Sequence, residues 1–568
     1  MKFRWSLASA RPAESASLAA SAKISPLLAQ CLINRGFVDP EAAGRFLEPR
    51  LRDLDDPFLL PNMDRAARRL LQARGQNQTV VIFGDYDVDG VTSTALLFEA
   101  LTALGWKLKY YLPSRLDEGY GLTLEAVEAC VKLFSPGLLL AVDCGSTAVA
   151  SIQWLNTQGI DVIVLDHHQV SDPPPPAIAL VNPRLGTQFH ELCSAGLAFK
   201  LLHALLKQMR TDGVAAALDF DLRPFLDLTA LGTVADIVPL VGENRILVHV
   251  GLQHLEATKR IGLCALKTVA NVGERIGVYE VGFQLGPRLN AAGRLQDAEE
   301  ALRLLLAKGR LEAEELARSL DTRNRERQEI ERAICDEALA VVRERFRPEV
   351  DYVIVEGSDS WHIGVVGIVA SRVLQQFHRP TIIFGGDGDA WRGSGRSIEG
   401  FDLAAALRDC SELLLRHGGH AMAAGLSMEG LKIDSFRARL NDLARNSLKP
   451  EQLQPSIALD AETTFDQLTV ERVDELKRLE PCGSQNAPVR LAARGVTHHQ
   501  PPERMGREKQ HVKLRLTDGR GYAEAVWWNC GDALLPPDPF DLAFIPAVNE
   551  YKGRRSLQLK VVDWRPAA

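Results

Sequence analysis

The sequence predicts an α/β protein of several domains: a parallel-sheet domain joined by a long helix to a smaller α/β domain, and then a small β-barrel. Three observations carry this. From residue 79 to about 240, apolar strand-like runs (TVVIFG, KLKYYL, GLLLAV, IDVIVL) alternate with helical patterns such as VTSTALLFEALTAL, as in parallel βα units. Between about 311 and 346 the chain is rich in strong helix formers and lacks both Gly and Pro. The last ~80 residues break into short runs, HVKLRLTD, YAEAVWW, FDLAFIPAV and SLQLKVVDW, divided by turn residues.

A chain of 568 residues exceeds what one hydrophobic core organises. The expected segments are a helical 1–75, the parallel-sheet domain 76–310, a connecting helix 311–347, the second α/β domain 348–447, a linker 448–486 and the barrel 487–568. The run PPPP at 173–176 closes a loop. The second α/β domain reads as YVIVEG, a helix near 365–376, TIIFGG, a glycine-rich turn WRGSGRS, and a helix from Asp402.

Composition excludes several classes. Hydrophobic residues at 46% and charged residues at 24% are the mix of a soluble globular protein. The stretch ASARPAESASLAASA after Arg4 is too polar for the apolar segment of an export signal, and the densest apolar run, 138–142, is far short of the ~20 residues that span a bilayer. Nine scattered cysteines with no CxxC pair suggest neither a zinc knuckle nor a disulfide framework, so a reducing cytoplasm is expected. The formal charge of −7 averages unlike regions: from residue 487 onward 13 Lys/Arg face 9 Asp/Glu, and only this tail is basic.

The chemistry is concentrated where strands end. VVIFG runs into Asp85, Asp87 and Asp89; LLLAV into Asp143; VIVL into Asp166, His167 and His168; Asp236 follows the apolar stretch LTALGTVA. In a parallel sheet the carboxyl ends of the strands open on one crevice, so these side chains should converge. A strict strand would put all three acids of DYDVDG on one face, and a turn ending at Gly90 would redirect Asp89. Like charges gathered at low dielectric repel unless a cation neutralises them. Carboxylates with imidazole and no thiolates favour Mn²⁺ or Mg²⁺. A calcium EF-hand is excluded, because a strand precedes the loop and its twelfth position is Leu96 rather than Glu.

DYDVDG, AVDCG, DHH and GTVADIVPL stand in the order of the four motifs of the DHH phosphoesterases, and the chain resembles the RecJ exonuclease family of that superfamily along nearly its whole length. The resemblance implies a binuclear Mn²⁺/Mg²⁺ site with Asp85, Asp87, Asp89, Asp143, His167 and Asp236 as ligands and Asp143 as the bridge. Asp166 would orient His167 from behind, and His168 would face the scissile phosphate. Two such cations activate water and stabilise attacking and leaving oxygens in phosphodiester hydrolysis.

The remaining motifs bear on the substrate. PRLNAAGRL resembles a RecJ signature in which Arg288, Asn290 and Arg294 would face phosphates. GSGRS and HGGHAMAAG resemble the companion DHHA1 domain, where Ser394, Arg396, Ser397 and His420 would contact nucleic acid; an end-specific nuclease also needs a group that fixes the strand end, and the GSGRS turn together with Arg288 is expected to hold a terminal 5′ phosphate. Trp361 and His362 also match the family, with a packing role equally expected. The tail resembles an OB-fold, in which Trp527, Trp528 and Tyr551 among Arg515, Lys552, Arg554 and Arg555 would stack on bases and track the backbone. PCGSQNAP, at 481–488, departs from the glycine-richer junction expected in the family.

These features imply a single-stranded-DNA-specific 5′→3′ exonuclease of recombination and repair, with single-strand-binding protein and a repair helicase as family-implied partners. Two alternatives remain: a DHH oligoribonuclease or cyclic-dinucleotide phosphodiesterase, and a non-catalytic single-strand-binding protein.

Overall fold

The computed structural model describes residues 3–114, 121–186, 189–295, 298–386, 390–531, 533–551 and 553–567. The chain forms two compact units: one comprises Arg45–Arg325 with Leu479–Ala487, and the other the remainder. The chain opens with strand β1 (Arg4–Leu7), which belongs to the second of these.

The first unit is built on five parallel strands: β2 (Thr79–Gly84), β3 (Lys107–Tyr111), β4 (Leu138–Val142), β5 (Asp161–Leu165) and β6 (Ala179–Val181), ordered β3-β2-β4-β5-β6. Strand alternation divides the side chains between two cores. Val80, Ile82, Leu138, Leu140, Val142, Ile163 and Leu165 pack beneath helices α1 (Val88–Ala103), α2 (Ser194–Thr211) and α3 (Leu226–Ala235). Val81, Phe83, Leu139, Ala141, Val162 and Val164 pack on the other side, against the helices Leu124–Phe134 and Val149–Thr157. Covering both faces is what makes these strands read as continuous apolar runs.

Helix α4 (Gly242–Glu256) holds the short segment 479–487 to this unit. The Arg245 guanidinium is buried, stacks on the Phe46 ring at 3.8 Å, and donates to the carbonyls of Phe46 (2.9 Å), Leu479 (2.9 Å) and Glu480 (2.9 Å). Asn486 Nδ2 donates to the Leu479 and Pro481 carbonyls, and the Leu240 N–H donates to the Ser484 carbonyl. The motif PCGSQNAP is therefore a strap on the parallel-sheet unit and not the start of the barrel. Helix α5 (Gly286–Leu295) carries PRLNAAGRL. Helix α6 (Arg310–Arg345) is the long helix expected at 311–347; Ala313, Leu316, Ala317 and Leu320 join the parallel-sheet core, whereas Ile334, Ala338 and Val342 join a core of the second unit.

In the second unit, β7 (Ile354–Gly357), β8 (Thr381–Gly385), β9 (Ala390–Arg396), β10 (Arg416–Gly419) and β11 (Ala423–Glu429) form a sheet in the order β10-β11-β9-β8-β7, flanked by α7 (Val366–Phe377) and α8 (Ile433–Ser447). The expected glycine-rich turn WRGSGRS is the central strand β9. Its glycines serve close packing: a Cβ at Gly393 would lie 2.5 Å from the Phe384 ring, and one at Gly395 2.5 Å from Leu403. Within 448–486, expected as a linker, lie β12 (Ser456–Leu459), paired with β1, β13 (Ala461–Glu462) and the helix Val470–Leu476.

The carboxyl-terminal strands are β14 (Leu491–Met505), β15 (His511–Thr517), β16 (Tyr522–Trp527), β17 (Phe540–Tyr551) and β18 (Arg554–Pro566). They pair in the order β14-β15-β16-β18-β17, and β17 pairs again with β14, the connectivity of a small barrel.

Arg245→Met should lower the unfolding free energy of the parallel-sheet unit by about 3 kcal/mol, because several buried carbonyls lose their donor at once. Urea denaturation measures this, and a loss under about 1 kcal/mol would mean the strap is held by packing alone.

Candidate metal centre

Asp85 leaves the end of β2, but DYDVDG does not continue as a strand. The chain turns at Asp85 to Asp87 and enters α1 at Val88, so Gly90 lies inside the first helical turn and does not end a turn as expected. Asp87 caps the helix, its Oδ1 accepting from the N–H groups of Asp89 (2.9 Å) and Gly90 (3.1 Å). Only glycine fits at position 90, where a Cβ would come 2.5 Å from the Asp85 carbonyl oxygen. Helix α5 braces this loop. Asn290 Oδ1 accepts from the Val88 N–H at 3.2 Å, and Gly293 leaves room for the Tyr86 carbonyl.

Asp89 is buried against the N-terminus of α2, with Oδ2 accepting from the Ser194 N–H (2.7 Å) and Oδ1 from the Ala195 N–H (2.8 Å). Asp143, beyond β4, adopts the left-handed conformation (φ 65°), and its Oδ1 accepts from Ser194 Oγ at 2.9 Å. Asp236 ends α3, a helix formed by a stretch whose apolar pattern specifies no element by itself. His167 Nε2 is buried among these acids, 3.4 Å from Asp143 Oδ1, 3.5 Å from Asp236 Oδ2 and 3.9 Å from Asp89 Oδ2.

Asp166 has a different task from the one expected. Its Oδ1 accepts from the N–H groups of His167 (2.8 Å) and His168 (3.2 Å) and lies 2.8 Å from His168 Nδ1, while Oδ2 accepts from the Ser146 N–H at 2.9 Å. The imidazole it orients is therefore that of His168 and not that of His167. Ser146, Asn182 and Ser194 complete the support, and none of them stands out in the sequence. Asn182 Nδ2 donates to Ser146 Oγ (2.9 Å) and the His168 carbonyl (2.8 Å). Only the small-residue start of α2, Cys193-Ser194-Ala195-Gly196, hints at a helix N-terminus open to an anion.

The electrostatics are those of an acid cluster suited to cations. Burial, and then the charges of Asp89, Asp87, Asp85 and Asp236, push the Asp143 carboxyl well above its usual range. Asp236 rises for the same reasons, burial first and then Asp89, Asp87 and Asp166. Asp89 is pushed up to about 6 by burial and Asp87, against the pull of its two backbone donors. Burial also opposes charge on Asp166, yet the His168 hydrogen bond and the neighbouring imidazoles outweigh it and hold that carboxyl below the usual range. Burial would lower His168, but Asp166, Asp85 and Asp87 raise it.

The donors fit hard divalent cations. Asp85, Asp87 and Asp143 can bring oxygens within 4.8 Å of one another, and Asp89, His167 and Asp236 do the same with their own ligand atoms, so Asp143 stands where two sites would meet. Asp236 Oδ2 is buried with no hydrogen-bond partner among the described residues, an arrangement a cation would relieve. All six expected ligands are brought together.

The expected phosphate contacts divide. Arg288 is tied down within its own unit, donating to Asp321 (2.9 Å) and the Gln284 carbonyl (2.6 Å); Asn290 braces the metal loop, and Arg294 is half-buried on the same helix. In the second unit, Arg396 Nη1 donates to Ser394 Oγ (3.0 Å), and both side chains lie against Gly367 in the first turn of α7. Burial alone pulls the Arg396 pKa down, and no carboxylate among the described residues offsets its charge. Ser397 does not join them: its hydroxyl is buried and donates to the Phe401 carbonyl at 2.7 Å. His420 is exposed beyond β10, and Trp361 is a core residue donating to Glu337. On the barrel, Trp528, Tyr551 and Arg554 are exposed, Trp527 is half-buried, Arg555 pairs with Asp474, Arg515 donates to Gln500, and Lys552 lies outside the described residues.

Comparison with known proteins gives three family models: the DHH family N-terminal domain over residues 79–233, the DHHA1 domain over 350–446 and the RecJ OB domain over 459–563. The single-stranded-DNA-specific exonuclease RecJ of Dickeya dadantii (strain 3937) is 38% identical, the match covering 91% of this chain and 92% of that protein. The RecJ of Escherichia coli (strain K12) is 36% identical over 95% of this chain and 96% of that protein. The crystal structure of RecJ from Thermus thermophilus in complex with Mn²⁺ superposes with a TM-score of 0.85 at 33% identity, covering 99% of this chain and 79% of that one. Its Mg²⁺ complex gives a TM-score of 0.79 at 31% identity, covering 99% of this chain and 78% of that one.

Asp143→Asn should stabilise the metal-free protein by about 1–2 kcal/mol, a rise of roughly 2–3 °C in melting temperature, because a neutral amide replaces one acid of a repelling buried cluster and asparagine accepts the left-handed backbone. The same substitution should remove most of the stabilisation by Mn²⁺, which for a site at a hundredfold excess over Kd is about 2.7 kcal/mol. Thermal melts with and without Mn²⁺ check both. A variant that is less stable than wild type without metal and keeps the full Mn²⁺ shift would contradict the bridging place of Asp143.

Proposed function

Because the chain belongs to the RecJ family of single-stranded-DNA-specific exonucleases, we propose that it removes nucleotides from single-stranded DNA by metal-dependent phosphodiester hydrolysis, working 5′→3′ in recombination and repair. The observation that carries this reading is the buried convergence of Asp85, Asp87, Asp89, Asp143, His167 and Asp236 at the carboxyl edge of a parallel sheet. Two Mn²⁺ or Mg²⁺ ions held there supply an activated water and neutralise charge on the attacking and leaving oxygens.

The chain's own residues do the rest. Asp166 fixes the His168 ring through Nδ1, and its charge favours the protonated form, which would donate to a phosphate oxygen. The braces from Asn290, Ser194 and Ala195 hold the carboxylates in place before substrate arrives, so little reorganisation remains for the reaction.

Exonucleolytic action needs a group that grips the strand end. Arg396, Ser394 and the first turn of α7 at Gly367 form an anion site suited to a terminal 5′ phosphate, which carries more charge than an internal one. The barrel, with Trp528 and Tyr551 exposed on a segment in which Lys and Arg outnumber Asp and Glu, suits a sequence-independent grip on the rest of the strand. A cytoplasmic location, and single-strand-binding protein with a repair helicase as partners, complete the reading by family analogy.

Arg396→Ala should slow cleavage of 5′-phosphorylated strands by roughly tenfold to a hundredfold, the effect of losing a charged hydrogen bond worth about 1.5–3 kcal/mol, and should slow 5′-hydroxyl strands far less. Steady-state digestion of strands labelled at either end, in Mn²⁺, tests this together with polarity. Equal slowing of both substrates would place the end pocket elsewhere, and release of label first from the 3′ end would overturn the direction.

A further inference from the structure

Ahead of α5, the helical run from Val278 passes through a π-helical turn, Val281–Leu285, a distortion that recurs at functional sites. It displays two stacked aromatic rings, Tyr279 and Phe283, with centroids 5.1 Å apart, that are 61% and 70% exposed. Neither ring is needed by the core. Glu280 is turned aside, accepting from the Gly277 N–H at 2.8 Å, and so sets no charge over them.

The position of this pair is specific. The same helical run continues into α5, where Asn290 and Gly293 brace the metal loop. Seven residues separate Phe283 from Asn290, about 10 Å along a helix axis, or roughly three nucleotides of a stacked strand. The π-helical turn also packs on α3, with Gly286 facing Ala235, and the chain after Ala235 is the ligand Asp236 followed by Ile237. Ile237 is 75% exposed and has φ 61°, a conformation that β-branched residues rarely adopt. Exposed apolar groups thus lie on the helical run that braces the metal loop and on the chain that follows the ligand Asp236.

Resting on the exonuclease reading, we propose that Tyr279 and Phe283 form a stacking platform for unpaired nucleobases about three nucleotides from the bond being cut. Aromatic faces take any base but need its ring face free, which a base paired with a complementary strand and stacked between its neighbours does not offer, so the platform accepts single strands without regard to sequence and gives a paired strand no such contact.

The test compares wild type, the double variant Tyr279→Ala/Phe283→Ala, and Phe283→Trp. Each digests a twelve-nucleotide strand and the same strand carrying abasic sites at positions two to five from its 5′ end, in Mn²⁺. The double variant should raise KM for the ordinary strand roughly tenfold with kcat little changed, in keeping with the stacking effect of alanine substitutions. The abasic strand should raise the wild-type KM by a similar factor and show no further rise with the double variant, and Phe283→Trp should retain wild-type KM. Because both rings are exposed, melting temperatures should be unchanged. An unchanged KM, or the same rise on ordinary and abasic strands, would overturn the platform. A wild type that leaves the ordinary strand intact would instead overturn the exonuclease reading.

Discussion

The structure depends on keeping several carboxylates buried beside one imidazole at the carboxyl edge of a parallel sheet. Left alone, such charges repel by several kcal/mol at the low dielectric of an interior. The chain holds them with fixed donors: two backbone N–H groups of α2 on Asp89, a serine hydroxyl on Asp143, and three backbone N–H groups with the His168 ring around Asp166. Those donors do not neutralise the cluster, as the raised Asp143 and Asp236 show. What remains uncompensated is the driving force for taking up cations.

Much of the surrounding architecture serves this one requirement. Glycines 84, 90, 232 and 293 sit where a side chain would strike the metal loop or its supports. Asn290 links PRLNAAGRL to DYDVDG, although some 200 residues separate the two in sequence. The strap 479–487, pinned by Arg245, joins the chain just beyond Asp236 through the bond from Leu240 to Ser484. The loops that carry ligands are thus held from several directions, as a preorganised site requires.

The parallel sheet, the long helix and the barrel are legible in the sequence because each leaves a periodic signature: apolar runs for strands buried on both faces, an unbroken stretch of helix formers, short alternating runs between turns. The ligands are legible because a parallel sheet gathers the ends of its strands in one crevice, and acids repeated at those ends would repel one another there without a cation. Sequence and structure part where local composition has two physical readings. Glycines in WRGSGRS suggest a turn, yet here they permit a crowded central strand against Phe384 and Leu403. PCGSQNAP resembles a linker because Arg245 recognises this strap through its carbonyls and the one side chain that closes it, Asn486, is also a common loop residue. Asp166 orients the second imidazole and not the first, since adjacent histidines are indistinguishable until the backbone places Nδ1 of His168 within 2.8 Å. The Tyr279–Phe283 pair has no signal, because a π-helical turn has none in sequence.

The central claim is that this acid cluster is built for two cations sharing Asp143. Electron paramagnetic resonance of the metal-stripped protein titrated with Mn²⁺ tests it most directly. The account predicts uptake of two ions per chain, with the signal of an exchange-coupled pair emerging as the second ion binds. Saturation at one ion, or two ions giving the spectrum of isolated Mn²⁺, would contradict it.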